Sequence, residues 1–164
     1  MKSPPRIAAW LLGAVILAGC SGIKTYPDTS PRNLTVRTEA SSGSILGRTR
    51  VSVHIHEVDA NCRTEYLGTV QLSEPTVEIG VPAGRSSLLV FAFHNSSFLG
   101  GTTGNISYET LLRPRAGFTY DATARYRDGI YYVSIREAGA RGDLGRELAR
   151  RPLGACASGL TAGG

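Results

Sequence analysis

The sequence predicts an all-β chain folded as a single antiparallel sandwich of about seven to eight strands. Three observations predict it. From residue 33 onward apolar residues recur with period two or in short runs, the spacing that places alternate side chains on one face of a strand. Gly, Pro, Asn and Ser interrupt those runs at spacings of roughly ten residues. No central segment has the apolar stripe of an amphipathic helix.

Each element follows from its residues. "NLTVRTE" sets Leu34 and Val36 against Thr35 and Arg37, and "RVSVHIHEV" sets Val51, Val53 and Ile55 against Ser52, His54 and His56. "EYLGTVQL" and "PTVEIGV" follow, the second alternating Val77, Ile79 and Val81. "SSLLVFAFH" is nearly all apolar, as a strand covered on both faces is. "NISYETLLRP", "GFTYDATARY" and "IYYVSIRE" complete the series, and Asp128-Gly129 between the last two is a tight-turn signal. Only "DLGRELARR", 143–151, has helical propensity, with Asp143 as N-cap and Pro152 as stop. A turn or two of helix is expected there, outside the sandwich. There is no internal repeat.

The first residues give an address. Lys2 and Arg6 precede thirteen residues without a charge, Ile7 to Gly19. A membrane-spanning helix needs about 20 apolar residues, so this run reads as a secretion signal. Its exit, Leu17-Ala18-Gly19-Cys20, resembles the bacterial lipobox. That resemblance implies removal of residues 1–19 and acylation of Cys20 by palmitate-like chains. Several acyl chains anchor a protein stably at about 0.8 kcal/mol per buried methylene. Ser21 stands where a retention signal has Asp, which by analogy with enteric bacteria implies the outer membrane, periplasmic face. The expected organisation is a removed signal (1–19), a flexible tether (20–32), a sandwich (33–137) and a C-terminal tail (138–164).

Without the signal, sixteen basic and thirteen acidic residues leave a formal charge of +3. So mild an excess, spread along the chain, does not argue for a nucleic-acid partner. With Cys20 assigned to lipid, Cys62 and Cys156 remain. Two cysteines in an oxidising compartment suggest a disulfide closing a loop of roughly 95 residues, with about 4 to 5 kcal/mol from chain entropy. The alternative is two free buried thiols, without CxxC spacing or a neighbouring His.

The order "VPAGRSSLLVFAF", "LLRPRAGFTYDATARY", "IYYVSIREA" resembles small bacterial sandwich domains of the PEGA and DUF2846 type. Val81-Pro82-Ala83-Gly84 matches their turn, Leu88 and Val90 the strand after it, and Gly117, Tyr120 and Ala122 their late hairpin. The resemblance covers residues 81–136 and implies immunoglobulin-like or transthyretin-like topology with no catalytic residues. The chain departs from it in "HNSSFLGGTTGN" and in the cysteine-bearing tail.

Candidate chemistry rests on few residues. His54 and His56, at i and i+2, share one strand face and can both ligate a metal, with His94 as a third ligand of a zinc site. No acidic motif accompanies them, and solvated histidines on a polar face are the plainer reading. Glu57 and Asp59 read as a strand end and turn. "GGTTGN" lacks the Lys-Ser/Thr ending and the following helix of a phosphate loop. Asn33-Leu34-Thr35, Asn95-Ser96-Ser97 and Asn105-Ile106-Ser107 match the glycosylation pattern and mark polar loops. No nucleophile elbow is visible. Tyr126 and Tyr131 with Arg125 and Arg127 have the composition of a binding surface, while the plainer reading has the tyrosines capping the core, hydroxyls in water. The function expected is a non-catalytic, cofactor-free binding or scaffolding lipoprotein presenting a sandwich to an envelope protein partner, as an accessory of a secretion or envelope assembly. The alternative is a metal-dependent or carbohydrate-acting envelope protein using His54, His56 and His94.

Overall fold

Two sheets face each other in a computed structural model that describes residues 23–40, 47–97, 103–127, 130–139 and 145–156. The Leu17-Ala18-Gly19-Cys20 motif, the Asp128-Gly129 turn signal and the Arg127 side chain lie outside the described residues. In chain order the strands are β1 (Leu34–Ala40), β2 (Gly47–Val58), β3 (Thr64–Gln71), β4 (Thr76–Ile79), β5 (Ser86–Ser97), β6 (Thr103–Leu112), β7 (Thr119–Arg127), β8 (Ile130–Ala138) and β9 (Arg146–Leu148). One sheet has the order β3-β2-β5-β6 and the other β4-β1-β7-β8-β9. The chain is thus a β-sandwich, as its alternation requires.

Period two decides what is inside. Val53 lies opposite Phe91 and Ile55 opposite Leu89 in the first sheet, and all four are fully buried. In the second sheet Leu34 and Val36 stand beside Tyr120 and Ala122, again fully enclosed. Each Phe or Leu buried this way contributes about 1.5 to 3 kcal/mol. Phe93 and Tyr131 join the layers edge to face, with ring centroids 5.0 Å apart. Strand β5, central between β2 and β6, also shelters Leu88 and Ala92 on its outer side.

Two features depart from the sequence expectation. The pair β1–β7 is parallel, whereas the other strand pairs are antiparallel. Parallel neighbours need a crossover, and here the whole opposite sheet supplies it. The stretch 143–151 contains a strand where a helix was expected. A helix that short is marginal without packing, whereas as β9 it pairs Leu148 with Ile135 and Glu147 with Arg136, adding Leu148 to the core margin. The helical turn comes later, a 3-10 turn at Leu153–Ala155 behind Pro152.

Both described chain ends are fastened to the body. Within the stretch expected as a tether (20–32), residues 24–26 run alongside β3: Thr69 N–H donates to Lys24 O (2.7 Å) and Tyr26 N–H to Thr69 O (3.1 Å). The Tyr26 hydroxyl donates to Gly80 O (2.8 Å), and Gly80 N–H to Asp28 Oδ1 (3.1 Å). Asn33 exchanges two bonds with the Val81 backbone, both 2.9 Å. Gly68 lets this strap pass, since a Cβ there would lie 2.5 Å from Tyr26 Cα. At the other end Leu111 N–H donates to Arg151 O (2.6 Å), and Cys156 is bonded to Cys62, with Cα atoms 5.9 Å apart.

Candidate functional site

The histidine pair lies on the outer face of the first sheet, as alternation along β2 requires. His54 shares a hydrogen bond of 2.6 Å with Thr69 Oγ1, whose hydroxyl is also bonded to Tyr66. His56 packs its ring against Tyr66, centroids 5.2 Å apart. Burial lowers both imidazoles from their usual range; His94 acts in the same direction on His54, and His54 on His56. His94 itself lies across from Arg50, four positions from His54, or about 13 Å along the strand. Its Nδ1 is bonded to Asn105 Oδ1 (2.7 Å). The three histidines are not brought to one point, and among the described residues no group of three or more His, Cys, Asp or Glu is placed to hold a metal ion.

The tyrosine and arginine residues of the last hairpin separate in the same way. Tyr126 stacks on Tyr131, centroids 4.7 Å apart, and both pack against the core. Arg125 points to the opposite face, its Nε 2.8 Å from Glu39 Oε2. One surface carrying Tyr126, Tyr131 and Arg125 together does not form, because odd and even positions of a strand face opposite ways.

A cluster that sequence reasoning missed occupies the end of the sandwich where β6 leads into β7. Tyr120, 1 % exposed, accepts a hydrogen bond from Arg115 N–H (2.8 Å) and donates to Glu137 Oε2 (2.9 Å). Arg115 donates to the same carboxylate through Nη2 (2.6 Å) and Nε (3.1 Å). Arg146 Nη2 adds a weaker contact at 3.4 Å. The Arg115 guanidinium also lies over Phe118, 3.7 Å from the ring centroid. These bonds explain how Glu137, 8 % exposed, stays charged: the Arg115 bonds hold its carboxyl below the usual range against the opposing effect of burial. One signal was available beforehand. Counting by twos from Val133 and Ile135 puts Glu137 on the core face, and a carboxylate there requires a cation.

The cluster floors an open groove of about 540 Å³ between the β6 and β9 margins, crossed by residues 149–151. Four arginines line it: Arg113, Arg115, Arg146 and Arg151. Arg113 and Arg151 have no carboxylate partner among the described residues; Arg113 Nε donates to Gly84 O (3.1 Å). Arg151 is fixed through its backbone, its N–H donating to Thr110 Oγ1 (3.1 Å).

Comparisons with family models, with curated proteins and with solved structures gave no match.

Proposed function

We propose that the chain is a lipid-anchored lipoprotein of the bacterial outer membrane that faces the periplasm and acts as a non-catalytic binding or scaffolding module for an envelope protein. The observation that carries this reading is the fixed path of residues 23–33. Ile23 begins a segment bonded to β3 and to the β4–β5 connection, and Cys20 precedes it by three residues. Three extended residues span at most about 11 Å. Lipid at Cys20 thus holds the sandwich against the headgroups and fixes which surface it presents. Strand addition at a sheet margin is the mechanism by which such a module engages a partner. Strand β4, four residues long with Thr76 and Glu78 exposed, is one such margin.

The test has two parts. Cys20→Ser is expected to move the protein from the membrane to the soluble fraction and to abolish incorporation of labelled palmitate. Retention of the variant in the membrane overturns the anchor. Crosslinking in intact cells, followed by detergent extraction and affinity capture of the full chain, is expected to recover one envelope protein in fixed proportion. Recovery of none overturns the scaffolding role.

A further inference from the structure

Around the Glu137 cluster four arginines and two carboxylates, Glu137 and Glu147, line the groove, so the lining carries a formal charge of +2. Glu137 is saturated by Arg115, Tyr120 and Arg146, which leaves it little capacity to attract a further cation. Arg115 is held in place twice over, by the carboxylate on its edge and Phe118 on its face. A guanidinium fixed in this way loses little freedom when it binds. It keeps its Nη1 amino group unused among the described residues. Arg151 sits on a segment pinned to β6, and Arg113 is braced by Gly84 O. Nothing in the sandwich requires four arginines from three separate segments, two of them without an acidic partner among the described residues, to line one hollow.

We propose that this groove is an oxyanion site that takes the phosphate group of a small phosphorylated ligand. The net +2 lining matches the two charges of a phosphate monoester, whereas a single carboxylate balances half of it. Planar guanidinium groups present paired donors suited to phosphate oxygens. The volume falls within the range typical of small-molecule sites. Arg115 supplies the rigid donor, and Arg113 and Arg151 close on the anion from the β6 side and the crossing tail.

Isothermal titration of the full chain in neutral detergent with glycerol 3-phosphate, inorganic phosphate and acetate tests this. Glycerol 3-phosphate is expected to bind saturably, one per chain, with inorganic phosphate weaker and acetate weaker by at least about tenfold. Arg113 and Arg151 are exposed, so Arg113→Gln with Arg151→Gln leaves the core untouched, and the double variant is expected to lose at least about tenfold in affinity. Arg63→Gln, at an exposed arginine that does not line the groove, controls for general charge and is expected to change nothing. Absence of saturable heat overturns the proposal, as does equal binding by the double variant. Acetate binding as tightly as the phosphates overturns the phosphate assignment. None of these outcomes depends on Cys20 or on the protein partner.

Discussion

Arg115 Nη2 lies 2.6 Å from Glu137 Oε1, although 22 residues separate the two in sequence. The bond ties the β6–β7 connection to the end of β8, and the Tyr120 hydroxyl completes it from below. Buried carboxylates of this kind make stability depend on pH in a calculable direction.

Glu137 ionises more readily folded than unfolded, because of the Arg115 bonds first, then Tyr120 and Arg146. Its contribution is therefore fully present above the ordinary carboxyl value of 4.5 and is lost as pH falls through the lower folded value. Glu137→Gln is expected to cost about 1 to 3 kcal/mol at neutral pH and to flatten the acid limb of the stability curve. Urea denaturation at a series of pH values measures both. An unchanged acid limb contradicts the assignment.

The histidines act in a different window. Burial holds His54 and His56 neutral to lower pH than free imidazole, so folding is strengthened above about pH 6.5 and weakened progressively as pH drops toward their folded values. Replacing both by Gln is expected to remove that slope. Nuclear magnetic resonance titration of the ring protons should place both midpoints below 6.5, and midpoints above it refute this account.

Removal of the disulfide is expected to loosen one margin before the whole. Cys62→Ser with Cys156→Ser should cost about 2 to 5 kcal/mol in global stability. Amide exchange at Leu111, whose N–H is bonded to Arg151 O, should accelerate more than exchange at Phe91. Equal acceleration at both sites would show that the tail has no local role.

Gly68→Ala tests the strap. A Cβ placed 2.5 Å from Tyr26 Cα, on a residue with φ of 151°, leaves no room for residues 24–26 alongside β3. Faster exchange at Tyr26 and Thr69 is expected, with a loss of a few kcal/mol and an intact second sheet. Protection of those two amides at the wild-type level sinks the close-approach argument.

Alternation made the sandwich legible because period two is a local property: Val53 and Ile55 announce their face without reference to Phe91. What the sequence concealed depends on distant partners. The strand at Arg146–Leu148 exists because β8 offers it an open margin, and nothing within "DLGRELARR" reveals that margin. The strap at 23–33 looks like a proline-bearing linker until Gly68 and Gly80 are seen to make space for it. The arginine groove was invisible for the same reason, since Arg113, Arg146 and Arg151 meet only after β6, β9 and the tail are assembled. Glu137 alone betrayed itself, as an acidic residue in an apolar register.

The fastening of both ends has a kinetic consequence. During synthesis β3 can be sheathed early, because its cover is already made, but β6 and β8 stay bare until the last dozen described residues follow. Strand margins left bare in this way invite mispairing with other chains. A ribosome stall or proteolytic clip ahead of residue 145 would therefore yield a sticky species, so the final stretch serves the nascent protein as a built-in guard against clumping.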